Sequence, residues 1–290
     1  MLINEFGLYG LIGRAGTTLI RNQLGKYNNI MCLTTDMQIK LLMNNYTEIK
    51  ISTYIINEYS DYDIKNQFSK YKFDYKQVDK LFYKLPLYQV LNKSSLEYCN
   101  RIKPIFVIRN PVHTVYSSSK QSFLNDSEDL DIIKEMILES CTLLKIKMPK
   151  VYLEDFKRYS NDILLKNAVL FKMSFFLYQE YFKKFYKDNI LFLCFEDFLD
   201  NPYENMKLIL DFSNVQYNKD QINKKLNELF YDEVIEEGGI LMSENLKKSK
   251  KIIINDKFER IFKYLENEMN YFGYSLDNTI YPKSKILQEI

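Results

Sequence analysis

The chain has 290 residues, 46% of them hydrophobic and 27% charged, enough to bury one good core and short for two independent ones. A formal net charge of +2 excludes the global basic field of a nucleic-acid binder, so any anion site has to be local. The single histidine, His113, excludes a histidine-rich metal centre, and Cys32, Cys99, Cys141 and Cys194 lack C-x-x-C spacing, which favours buried thiols over a disulfide frame or a zinc site. No apolar run approaches the roughly 18–20 residues needed to cross a bilayer, so the expectation is a soluble, cytoplasmic protein without a transmembrane segment. The 24 Tyr and 20 Phe, with no Trp, read as a compositional bias, and aromatic clusters therefore carry little weight on their own.

The first stretch with chemical content runs from Phe6 to Ile20. A short apolar run gives way to Gly13-Arg14-Ala15-Gly16 and then Thr17-Thr18, after which Leu19, Ile20 and Leu24 recur at helical spacing. Strand, tight glycine loop and helix N-terminus together make a phosphate cradle: backbone N–H groups turn inward, the helix dipole adds positive potential, and Arg14 supplies a cation. The triphosphatase pattern G-x-x-x-x-G-K-[ST] would need lysine where Thr17 stands, and the glycine spacing is off by one. The same stretch also reads as an ordinary glycine-softened turn, so a second motif is needed.

Asn28 to Leu33 fits a second strand, followed by Thr34, Thr35 and Asp36, where Asp36 reads as a helix N-cap or as a polar group at a strand's carboxyl end. Residues 37–82 contain no glycine or proline and read as a helical insertion or cap, or equally as a solvated flank, with Ile39 to Met43 and Val78 to Phe82 as helical stretches. Pro104 to Ile108 is the clearest buried strand, and Pro111 starts a helix running through Ser117 to Phe123. Charged helical sequence from Asp126 to Ser160 precedes a long helix from Asp162 to Tyr186 that is apolar on most faces. Asn189 to Phe195 is a third strong strand, closed by Glu196-Asp197, and Asn201-Pro202 opens another helix. Helices from Asn218 to Phe230 and Asp256 to Phe272 close the chain, with Gly273 as a stop. Alternation of strands and helices implies a parallel α/β sheet. Arg109, directly after a strand, and Ser117, eight residues on, form a candidate second phosphate clamp.

The order of these parts resembles the sulfotransferases that use 3′-phosphoadenosine 5′-phosphosulfate (PAPS). Gly13 to Leu19 is similar to their 5′-phosphosulfate loop, and Ile105 to Pro111 with Ser117 to their 3′-phosphate motif. Tyr83-Lys84-Leu85-Pro86 is similar to the Lys-x-Pro element of carbohydrate and bacterial members. Phe195 to Phe198 with Asn201-Pro202 resembles their Tyr-Glu-Asp-Leu and Asp-Pro segment, and Phe272-Gly273-Tyr274 their Leu-Gly-Tyr ending. The resemblance implies one three-layer α/β/α domain over residues 1–290, with a central parallel sheet of P-loop type.

It also implies roles. Gly13, Arg14, Ala15, Gly16, Thr17 and Thr18 would hold the 5′-phosphosulfate, with Arg14 stabilising charge on the leaving oxygen. Arg109 and Ser117 would hold the 3′-phosphate, with Phe195 beside the nucleotide. Lys247 and Lys248 lie where a basic loop often returns to that phosphate, though the run to Lys251 also reads as a solvated lysine face. Asp36 is the candidate base and Lys84 a second polar group for the sulfuryl or acceptor. The expected products are a sulfated acceptor, with a carbohydrate hydroxyl as the first choice, and 3′-phosphoadenosine 5′-phosphate (PAP), with no metal required. His113 stands in place of the usual Asp and Phe195 in place of the frequent Tyr, so a capping contact and a hydroxyl contact are expected to be missing. A P-loop small-molecule kinase and a non-catalytic nucleotide-binding relative are the alternatives; oligomeric state is not legible.

Overall fold

Short apolar runs become strands and longer amphipathic ones become helices packed on both faces of one sheet. The computed structural model describes residues 4–13, 15–25, 27, 29–32, 79–84, 86–88, 102–120, 126–185, 190–232, 256–277 and 279–287. In chain order these are β1 (Asn4–Tyr9), α1 (Thr17–Leu24), β2 (Ile30–Cys32), β3 (Lys80–Lys84), β4 (Lys103–Ile108), α2 (Pro111–Ser118), α3 (Ser127–Leu144) and α4 (Lys150–Arg158). Then follow α5 (Ile163–Phe185), β5 (Ile190–Cys194), α6 (Phe195–Asp200), α7 (Pro202–Phe212), α8 (Lys219–Asp232), α9 (Asp256–Phe272) and β6 (Lys285–Leu287). The sheet order is β2-β3-β1-β4-β5-β6, parallel throughout except for β6, which runs antiparallel to β5. This is the three-layer α/β/α architecture that the family resemblance implied, around the parallel sheet read from the alternation of elements.

Parallel strands covered on both faces read as continuous apolar runs, and alternate residues feed two cores. Phe6, Leu8, Phe82, Ile105, Val107, Leu191 and Leu193 face α1, α7 and α8, where Phe6 stacks on Phe82 at 4.9 Å. Tyr9, Leu81, Phe106, Ile108 and Phe192 face α2, α3, α5 and α9, and Phe106 stacks on Tyr178 of α5 at 3.9 Å. The long α5 is buried almost all round, as its apolar faces required. Its one deeply buried cation, Lys166, is satisfied by Ser127 Oγ at 2.6 Å and Asp131 Oδ2 at 3.1 Å. No helix among the described residues is long and apolar enough to cross a membrane.

Three expectations change. The last residues of the expected helical stretch Val78 to Phe82 belong to strand β3: between β2 and β1 the run Leu81-Phe82-Tyr83 is buried on both faces, and Lys80 hides its charge against Asp79 at 2.6 Å. Residues 37–78 lie outside the described residues. The helix begun by Pro111 stops at Ser118, where the serine run takes over and Ser119 Oγ bonds the Tyr116 carbonyl at 2.9 Å. Phe195, expected in a strand, begins α6. Strand β6 had no sequence signal, being three residues long and largely exposed.

Gly273, with φ of 77°, ends α9 as expected and turns the chain inward toward Tyr274. The tail is then held by Asp197, which accepts from Lys283 Nζ (2.7 Å), Ser284 N (3.0 Å), Asn201 Nδ2 (2.9 Å) and Asn205 Nδ2 (3.2 Å). Burial pushes the Asp197 pKa up, but these four donors outweigh it and leave it below the usual carboxylate value. A depressed folded-state pKa contributes stability above the unfolded value and loses it as pH falls through the folded one. Asp197→Asn is therefore expected to lower stability at pH 7 by about 1–3 kcal/mol. In thermal melts its gap to the wild type should be widest near neutrality and narrow below about pH 4.

Candidate active site

The loop after β1 leads to α1 on one face of the sheet, and the loop after β4 leads to α2 on the other. Adjacent parallel strands whose exits diverge in this way open a crevice at their carboxyl ends, the place where such sheets bind ligands. β5 extends the same rim, since Ile108 pairs with Cys194, and on the other side Lys84 of β3 pairs with Leu8 of β1.

Two glycines shape the loop between β1 and α1. A Cβ on Gly10 would stand 2.9 Å from the Ala15 methyl, so the loop closes on itself there. Gly16 adopts φ of 90°, the left-handed region, and a Cβ on it would meet Phe195 Cδ2 at 2.1 Å. Gly16 is the N-cap of α1, its carbonyl accepting from Leu19 N at 3.1 Å, and it brings no side-chain oxygen to the first turn. The opening N–H groups of α1 thus lack a side-chain cap and suit an anion. Ser118, fully buried on α2, donates its hydroxyl to the Gly13 carbonyl at 3.2 Å and ties the loop to the opposite helix.

The arginine end of β4 is built more elaborately. Asn110 caps α2, accepting from Val112 N at 3.0 Å and His113 N at 3.3 Å, so the missing Asp at position 113 leaves the helix capped all the same. Asn110 N donates to Glu196 Oε1 at 3.1 Å and Asn110 Nδ2 to the Ser275 carbonyl at 3.2 Å. Glu196 also accepts from Tyr274 Oη at 2.8 Å, which joins β4, β5 and the C-terminal turn at one buried carboxylate. Burial raises the Glu196 pKa, opposed by the Arg109 charge and by these hydrogen bonds. The guanidinium carbon of Arg109 stands 5.5 Å from the Phe195 ring centroid. His113 is buried edge-on to Phe258, and burial together with the Arg109 charge pushes its pKa down to about 3, so it is neutral at pH 7, and its Nε2 has no hydrogen-bond partner among the described residues.

Of the residues singled out by sequence, Gly13, Ala15, Gly16, Thr17 and Thr18 form the loop and helix start, while Phe195, at the start of α6, packs against Gly16, and Arg109, just past β4, lies beside the Phe195 ring. Ser117 lies half-buried on α2, one residue before the Ser118 that reaches Gly13, and Lys84 closes β3 on the same rim. Arg14, Asp36, Lys247 and Lys248 lie outside the described residues. Sequence reading passed over Gly10, Asn110, Ser118 and Glu196. Asn before Pro carried a capping signal, and Gly10 was one more glycine in a loop already suspected. Nothing local distinguished Ser118 from its serine neighbours or gave Glu196 its partners. The rim brings together the start of α1, which has no side-chain cap, and the Arg109 cation, both beside Phe195.

The Gly16 geometry makes a sharp prediction. Gly16→Ala should cost about 1–3 kcal/mol through positive φ and the clash with Phe195. Phe195→Leu placed on top should recover part of that loss, so a double-mutant cycle by denaturant unfolding should give clear coupling.

A comparison with curated proteins found no match. Among solved structures, the chain is similar to the "Sulfotransferase Domain from the Curacin Biosynthetic Pathway", with 12% identity, 92% of this chain and 99% of that one covered, and a TM-score of 0.49. It is also similar to the "Sulfotransferase Domain from the Synechococcus PCC 7002 Olefin Synthase" (14% identity, 92% and 94% covered, TM-score 0.47). A third is sulfotransferase STF9 from Mycobacterium avium (9% identity, 96% and 79% covered, TM-score 0.44). The sequence pattern of the sulfotransferase domain matches residues 13–263, most of the chain and every element from the loop before α1 into α9. The chain belongs to the sulfotransferase family.

Proposed function

We propose that this sulfotransferase takes its sulfuryl group from PAPS and passes it to an acceptor hydroxyl or amine, with a carbohydrate as the first acceptor class to test. The observation that supports the donor assignment is the closeness of the uncapped start of α1 at Gly16 and the Arg109 cation just past β4, both against Phe195, which this reading takes as two anion positions. PAPS carries two separated anionic groups, and a site with one anion position would not distinguish it from simpler nucleotides. All described strands join one sheet, which supports reading residues 1–290 as one domain.

In this reading the N–H groups at Gly16, Thr17 and Thr18 and the Arg14 guanidinium hold the 5′-phosphosulfate, with Gly13 and Ala15 shaping the loop. Arg109 and Ser117 hold the 3′-phosphate, and Lys247 and Lys248 return to it from the segment before α9. Asp36 takes the acceptor's proton as its oxygen or nitrogen bonds to sulfur. The bond from sulfur to the bridging phosphate oxygen breaks, and Arg14 stabilises the charge left on PAP, with Lys84 beside the transferring group. The donor is already activated, so orientation and charge stabilisation supply most of the rate. The carbohydrate choice follows the Arg-x-Gly-Thr-Thr and Lys-x-Pro forms of the sequence.

Calorimetric titration with PAP and with ATP, each with and without Mg²⁺, tests the donor. PAP should bind without metal, and Arg109→Ala should weaken it about 10- to 100-fold, the scale of hydrogen bonds to a charged group. Magnesium-dependent ATP binding that ignores the 3′-phosphate would instead indicate a kinase. Asp36→Asn should leave PAP affinity in place while turnover falls about 10²- to 10⁴-fold. Unchanged turnover in that variant would remove Asp36 as the base.

A further inference from the structure

We propose that Phe195 is a positioning residue that sets the enzyme's preference for a 3′-phosphorylated donor, its ring holding Arg109 at a fixed place relative to the phosphate loop. This rests on the donor reading above and adds the device that makes two anion positions act as one site.

The ring touches both halves of the site. On one side it lies against the bare Cα of Gly16, where even a methyl group would collide with it. On the other side stands the Arg109 guanidinium, 5.5 Å from its centroid. The two contacts belong to loops that leave β1 and β4 toward opposite faces of the sheet, and the ring adds a tie between them to the one that Ser118 makes with Gly13. The ring is therefore a strut between them. It is well suited to that work: Phe195 is only 9% exposed and its back is packed in the α1 and α7 core, so it cannot swing away.

The frame beneath the contact is equally fixed. Phe195 is the first residue of α6, and the next residue, Glu196, accepts a hydrogen bond from the N–H of Asn110, the residue after Arg109. Ring and guanidinium thus spring from residues just past the paired Ile108 and Cys194, next to a backbone N–H held by the Glu196 carboxylate, and the ring's negative face limits where the cation can go. An arginine held in this way loses less rotamer freedom when it forks onto a phosphate than one that has lost the ring contact. Phe195 carries no hydroxyl, so its contribution is shape and ring electrostatics in place of a hydrogen bond to the nucleotide.

The test is the ratio of affinities for adenosine 3′,5′-bisphosphate and adenosine 5′-monophosphate, by calorimetry on the full chain without metal. The wild type should prefer the bisphosphate. Phe195→Leu and Phe195→Met should each reduce that preference by roughly 3- to 30-fold, the range for a partly desolvated cation–π contact, while Phe195→Tyr keeps it. The Met variant fills the gap with a flexible, unbranched side chain that adapts to irregular cores, so a folding defect in the Leu variant leaves the question answerable. A ring that only fills the core would alter melting temperature and leave the ratio unchanged, and that result in a folded Leu or Met variant overturns the proposal. A wild type that binds neither nucleotide, or both equally, overturns the donor reading and this inference with it.

Discussion

The contact between the Phe195 ring and the unsubstituted Cα of Gly16 constrains the rest of the rim. It requires glycine at that position, because any Cβ would overlap the ring and because φ is 90°. It also decides how α1 begins. A Ser, Thr or Asp N-cap would have satisfied the first-turn N–H groups internally, whereas glycine leaves them facing outward. Steric closeness on one side thus creates hydrogen-bonding capacity on the other, and the positive end of the α1 dipole is aimed at the same point.

The parallel sheet supplies the rest of the alignment. Four adjacent strands, β3, β1, β4 and β5, end together, and the residues just past their ends inherit that proximity. Refinement of the geometry falls to buried polar groups. Asn110 spends its side chain on capping α2 and its N–H on Glu196, and Glu196 recruits Tyr274 from the turn after α9. Asp197 binds the tail that becomes β6. Consecutive carboxylates at the start of α6 therefore face different tasks, one joining the arginine end of β4 to the C-terminal turn and the other locking the sheet edge.

Much of this was legible because local chemistry dictated it. Ile105 to Ile108 is an unbroken apolar run ended by Arg109, Pro111 fits the first turn of a helix, and Gly273 marks the end of α9. The tight turn between β1 and α1 was legible from glycines flanked by a strand and a helix. What failed was decided by tertiary context. The residues of β3 carry lysine at each end and look amphipathic, and only burial between β1 and β2 makes them a strand. β6 exists because Asp197 and Cys194 hold Ser284 in place. Glu196 finds its partners 86 and 78 residues away, a separation no spacing rule reaches. Ser118 was overlooked for Ser117 because the helix phase that points one of them at Gly13 is fixed by packing on α5 and α9.

The measurement that bears most directly on the central claim is a crystal structure grown with adenosine 3′,5′-bisphosphate. The account predicts the 5′-phosphate on the N–H groups of Gly16, Thr17 and Thr18, the 3′-phosphate on the Arg109 guanidinium, and the Phe195 ring lying between Gly16 and that arginine. A nucleotide seated elsewhere, or one whose 3′-phosphate points away from Arg109, would contradict it.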